Sequence, residues 1–118
     1  MAVATEDIKK YLPEHYKKVL RLIPEGSAKP IQVSEIEKLT GFSSQRIRSC
    51  VSDSIITYGI LVATSNVAGR SGYYFPETQE DIEATIANMN SRISYLSKRV
   101  QAFKNAPDPE QMDFDFLD

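Results

Sequence analysis

Apolar positions along the chain fall into blocks of helical spacing, separated by three short β-like stretches, and end in a long heptad run. Ile8, Tyr11 and Leu12 lie on one side of a short charged segment, Thr5 to Leu12, which Pro13 interrupts. Proline suits a first helical turn, where its missing N–H costs nothing, so a helix is predicted from Pro13 to Ile23. Its stripe is Tyr16, Val19, Leu20 and Ile23, and Pro24-Glu25-Gly26-Ser27 ends it and opens a loop to Pro30. Ile31-Gln32-Val33 alternates, after which Ser34 and Glu37 form the spacing of a capping box and predict a short helix over Glu35–Leu39. Gly41 follows where a left-handed C-cap belongs, and Ser43 caps a longer helix with Ile47, Val51, Ile55 and Tyr58 on one face, stopping at Gly59.

Beyond Gly59, the β-branched run Ile60–Thr64 and the aromatic run Gly72–Phe75 predict a hairpin, with Ser65–Ser71 as a flexible, turn-rich tip. Thr78 caps a final helix whose first turn carries Glu80, Asp81 and Glu83 at the positive end of the macrodipole. No Gly or Pro interrupts it before Pro107. Ile82, Ile86, Met89, Ile93, Leu96, Val100 and Phe103 repeat at alternating steps of four and three, an unbroken heptad seam. A rod of about 40 Å outruns so small a core. The seam therefore either packs back on the first helices or pairs with a second copy, parallel or antiparallel. The expected fold is mainly α with a small hairpin: a winged helix-turn-helix over residues 1–76, a dimerising helix over 77–106 and a tail over 107–118.

In that arrangement the third helix enters the major groove and the hairpin tip touches backbone or minor groove. With Ile47, Val51 and Ile55 buried, Gln45, Ser49 and Ser52 face outward and Arg46 and Arg48 flank them, and Ser44 at the helix start joins the residues expected to contact DNA. These residue types suit a groove, since Gln pairs with adenine, Arg with guanine or phosphate, and Ser with either. Asp53 is the one acid on the helix, more than a turn from its start. Arg70, among small residues, places a cation at the hairpin tip for phosphate or a narrow minor groove. Lys9, Lys10, Lys17, Lys18, Arg21 and Lys29 add positive charge. The same surface residues also suit a module that binds only protein.

Composition changes the picture through charge. The 118 residues, 42% apolar and 25% charged, allow one globular domain with an appendage. The net charge of −2 argues against nucleic acid until it is divided: residues 108–118 carry five acids and no base, which leaves the body at +3. The tail also carries Gln111, Met112, Phe114, Phe116 and Leu117 beyond Pro107 and Pro109, an extended linker followed by an apolar, acidic peptide. Such a peptide suits a hydrophobic pocket rimmed with cations, or folds back on its own domain, its partner subunit or the basic face. The spacing Gln-Met-x-Phe-x-Phe resembles peptides that bind the bacterial sliding clamp, and less closely the acidic tails of single-stranded DNA-binding proteins.

Nothing points to catalysis or to a cofactor or metal. His15 sits on a charged helix, Cys50 is single and falls at the margin of an apolar face, and no P-loop, dinucleotide fingerprint or metal-ligand spacing occurs. No apolar stretch reaches the length of a membrane span, and the N-terminus has no secretory pattern, so the chain is expected to be soluble and cytoplasmic. The run Ser71-Gly72-Tyr73-Tyr74-Phe75-Pro76-Glu77-Thr78-Gln79-Glu80-Asp81-Ile82, with the Ile-, Asn-, Ser- and Arg-rich helix after it, resembles small winged helix-turn-helix proteins of phages and prophages of Gram-positive bacteria. The resemblance covers residues 30–105 and implies a DNA-binding protein of phage regulation or replication, expected as a duplex-DNA-binding regulator or replication accessory factor in a bacterial host cell. The alternative is an interaction protein or inhibitor whose tail docks on a host replication protein such as the clamp.

Overall fold

The computed structural model describes residues 11–118. The charged segment expected over Thr5–Leu12 falls largely outside the described residues, as do Lys9 and Lys10. The order is α1 (Glu14–Leu20), α2 (Val33–Thr40), α3 (Ser44–Ile56), β1 (Ala63–Val67), β2 (Arg70–Tyr74) and α4 (Gln79–Lys104), followed by two short 3-10 turns. The protein is thus mainly helical, with one antiparallel hairpin and a long C-terminal helix. Its chain divides into two compact units, residues 1–86 and 87–118, with the division inside α4.

In the first unit α1, α2 and α3 close over Val19, Ile23, Ile36, Ile47, Cys50, Val51 and Val62. Val19, Ile36 and Ile47 are fully buried, and each contributes about 2 kcal/mol by leaving water. Helix α1 is shorter than its apolar stripe suggests: Pro13 is the N-cap in extended conformation, and the helix closes at Leu20 with Arg21 as C-cap. Ile23 still reaches the core from the turn beyond it.

Helix α2 begins earlier than the capping box places it. Gln32 is the N-cap, without a side-chain cap bond, and Ser34 lies inside the first turn. The reason is Ile31, whose N–H and carbonyl are both engaged by Tyr73 of β2, at 2.9 and 2.8 Å, so the strand residue runs straight into the helix. Gly41 ends α2 in the left-handed conformation, as expected, with its N–H on the Glu37 carbonyl. Ser43 caps α3 as expected, accepting from the Arg46 N–H at 3.2 Å.

The buried face of α3 is rotated from the expected one. Ile47, Cys50, Val51 and Ser54 are buried, while Ile55 and Tyr58 are half-buried. Ser54 is accommodated because its hydroxyl donates to the Cys50 carbonyl one turn back at 2.7 Å. Helix α3 closes at Ile56 with Thr57 as C-cap, three residues before Gly59.

The hairpin is displaced along the chain: β1 starts at Ala63 and not at Ile60, and β2 starts at Arg70 and not at Gly72. Ala63 pairs with Tyr74 and Val67 with Arg70, so the loop expected over Ser65–Ser71 shrinks to Ala68-Gly69. Gly69, at φ 82°, supplies the positive φ this two-residue turn requires. Helix α4 starts as predicted: Thr78 accepts from the Asp81 N–H, and Asp81 accepts in return from the N–H groups of Glu77 and Thr78. Inside its first turns, Thr85 is buried and its hydroxyl accepts from the Thr64 N–H at 3.2 Å.

In the second unit, α4 gives way to irregular chain at residues 106–108, and two short turns follow in the tail beyond it. Asp108 caps the turn Pro109–Gln111, and Asp113 accepts from the Asp115 N–H ahead of the turn Asp115–Leu117. Asp-Pro and Asp-x-Phe sequences satisfy their own backbone in this way.

Candidate nucleic-acid interface

The three-residue turn Gly41-Phe42-Ser43 fixes α3 against α2. Thr40 bridges it, its hydroxyl donating to the Ile36 carbonyl at 2.7 Å and accepting from the Phe42 N–H at 3.1 Å. With one face of α3 locked in the core, the outward stripe is Gln45, Ser49 and Ser52, with Arg48 beside it, all exposed. Four of the seven residues expected to contact nucleic acid therefore share one face. Ser44, next to the cap, is half-buried and stands apart from that face.

Arg46 is exposed on the flank, where its guanidinium carbon lies 4.2 Å from the centre of the Phe42 ring. Lys18 of α1 approaches the same ring at 6.0 Å. A guanidinium stacked on an aromatic ring loses little freedom when its outer N–H fork meets a phosphate or a base edge. Phe42 thus gathers cations from two helices at the start of α3, a role that spacing alone did not reveal.

The acid on this helix is held to the same flank. Asp53 accepts from the Tyr16 hydroxyl of α1 and from the Thr57 hydroxyl at 3.4 Å. The Asp53 carboxylate beside the phenol stabilises its neutral form and pushes the Tyr16 pKa up to about 12. Tyr16 also meets the edge of Tyr58 at 5.9 Å and of His15 at 4.6 Å, which places His15 in an aromatic packing contact. Burial pushes the Cys50 thiol up, as expected for a thiol packed in a core.

Ile56 extends the stripe of Gln45, Ser49 and Ser52 by one further turn and is 72% exposed. The apolar periodicity assigned it to no face, because its neighbour Ile55 satisfied the pattern. Arg70 is exposed at the end of the hairpin, but as a paired strand residue opposite Val67 and not within a mobile loop. Its backbone is therefore fixed at the tip. Gln32 and Ser71 tie the hairpin to the α2 entrance by a 2.9 Å side-chain bond.

In the second unit the heptad residues from Met89 to Phe103 are exposed, as is Ile86 at the end of the first, ranging from 46% at Ile86 and Met89 to 82% at Phe103. Met112, Phe114, Phe116 and Leu117 are exposed as well, with the two Phe rings 6.3 Å apart. Among the described residues no three His, Cys, Asp or Glu side chains are grouped to hold a metal, and no helix is long and apolar enough to cross a membrane. No family model, curated protein or solved structure matches the chain.

Proposed function

We propose that the protein is a winged helix-turn-helix DNA-binding protein, with α3 as the helix that enters the major groove and the β1–β2 hairpin as the wing. The reading is carried by one observation: the outward face of α3 presents Gln45, Arg48, Ser49 and Ser52 with no acid among them, while Asp53 is engaged by Tyr16. Arg46, stacked on Phe42, and Lys18 supply the phosphate contacts that set register, and Arg70 supplies the contact at the wing. The protein acts as a homodimer through α4, as a regulator or replication accessory factor of the phage or prophage type, in the cytoplasm of a bacterial host, without catalytic activity.

Fluorescence anisotropy with duplex DNA at low salt tests this. The intact protein binds, and each of Arg46→Ala, Arg48→Ala and Arg70→Ala lowers the slope of log affinity against log salt by about one. Absence of binding to any duplex at low salt overturns the reading.

A second reading is favoured by the exposed side chains of Met112, Phe114, Phe116 and Leu117: the tail is a docking peptide for an apolar, cation-rimmed pocket such as that of a sliding clamp. Loss of clamp association on removal of residues 108–118, with DNA binding intact, separates the two roles.

A further inference from the structure

We infer that the exposed seam of α4 is covered by the α4 of a second copy in parallel orientation, and that the acidic tails neutralise the cations this pairing brings together. The inference deepens the dimeric part of the proposed function and is independent of how α3 meets DNA.

The residue types along the seam are segregated. Counting heptads through its exposed part, Ile86, Ile93 and Val100 occupy one core position, and Met89, Leu96 and Phe103 the other. Every residue of the first set is β-branched and none of the second is; Ile82, one heptad before Met89, is half-buried in the first unit and lies outside the exposed stretch. In a parallel two-stranded coil the two positions pack with different geometry, and β-branched side chains fit the first while Leu-like ones fit the second. An antiparallel pair mixes the two positions in every layer and has no use for that segregation. Six exposed side chains leave on the order of 600 Å² of apolar face per copy, close to the roughly 800 Å² per partner of a stable interface.

Charge decides what else the pair needs. Residues 87–104 hold Arg92, Lys98, Arg99 and Lys104 and no acid. Parallel pairing sets Arg99 of one helix beside Lys104 of the other on both sides of the seam. This repulsion lies at the end of the helix from which each tail departs, carrying Asp108, Glu110, Asp113, Asp115 and Asp118 after only Asn105-Ala106-Pro107. So short a linker gives the acids a high effective concentration at those cations. The antiparallel alternative gains exposed Glu83–Lys104 pairs, which contribute little, and brings each tail toward Glu80, Asp81 and Glu83 of the other copy, acid against acid.

The full-length protein is tested by light scattering and by mild oxidation of single-cysteine additions at exposed seam positions. The expected mass is twice the 13.3 kDa of the chain. Val100→Cys alone cross-links to its own counterpart, whereas the unsubstituted protein, with Cys50 buried, does not. Removing residues 108–118 weakens the dimer by about tenfold at roughly 50 mM salt and has little effect near roughly 500 mM, where the cations are screened. A monomeric mass overturns the inference. Cross-linking only when Met89→Cys and Val100→Cys chains are mixed assigns an antiparallel pair and also overturns it. Dimer strength unchanged by tail removal at low salt overturns the role of the tail. A monomer that still binds duplex removes this inference alone, and a parallel dimer that binds no duplex removes the DNA reading alone.

Discussion

Tyr16 on α1 donates its phenolic hydrogen to the carboxylate of Asp53 on α3, across 37 positions of sequence. The bond links the first helix to the third and withdraws the acid of α3 from the face that offers Gln45, Ser49 and Ser52. A negative charge swinging across that face would oppose any phosphate approaching it.

The same bond sets a pH dependence. Tyr16 titrates near 10 in the unfolded chain and near 12 in the folded one. Between those values the unfolded state loses its proton first and binds fewer protons, so stability falls as pH rises from 10 to 12. Denaturant midpoints measured at pH 9 and pH 11.5 should show that decline, and Tyr16→Phe should flatten this contribution. At pH 7 Tyr16→Phe also leaves Asp53 with only the 3.4 Å bond from Thr57, and if α3 enters the groove, duplex affinity should fall severalfold with the helical signal unchanged.

Gly72 sits at φ 133°, and a Cβ there would stand 2.3 Å from the Ile31 carbonyl oxygen. That oxygen, the Ile31 carbonyl carbon and the Gln32 nitrogen, the three nearest atoms, are all backbone, so no side chain can move aside. Gly72→Ala should cost about 2–4 kcal/mol and break the Ile31–Tyr73 bridge that starts α2. Gly69→Ala meets nothing within 4 Å and carries only the positive-φ penalty of about 1–2 kcal/mol. Thermal unfolding of the two variants separates steric closure from backbone strain.

Local chemistry was legible where it was self-contained. Ser43 and Thr78 cap the helices that their own neighbours define, and Gly41 and the heptad helix follow for the same reason. Ser34 and Glu37 have equally good spacing, yet the bridge from Ile31 to Tyr73 starts the helix two residues sooner. A contact spanning 42 positions overrode a local signal. The β-branched run Ile60–Thr64 misplaced β1 for a related reason: Ile60 donates its N–H to the Ser54 carbonyl, so it belongs to the exit from α3. At the candidate site, the polar stripe could be read from a 100° step, whereas Phe42 under Arg46 and Tyr16 on Asp53 depend on tertiary packing.

The caps themselves provide a check. Ser43→Ala removes the acceptor for the Arg46 N–H and should destabilise the protein by about 1 kcal/mol. Ser34→Ala removes a hydroxyl that caps nothing and should stay within about 0.5 kcal/mol of the parent. Equal losses in urea titrations would place the start of α2 at Ser34 after all.

Phe42 offers a way to separate charge from preorganisation. Phe42→Leu keeps an apolar side chain at the turn and leaves every charge in place, but it removes the ring on which Arg46 lies at 4.2 Å. If Arg46 contacts phosphate from that stacked position, Phe42→Leu should weaken duplex binding by about 0.5–1 kcal/mol while the salt slope stays unchanged. Arg46→Ala should weaken binding and lower the slope together, and adding Phe42→Leu to it should do little more, because the two side chains act as one unit. Additive losses in that double-mutant cycle would show that Phe42 serves the core alone and that Arg46 finds its phosphate without it.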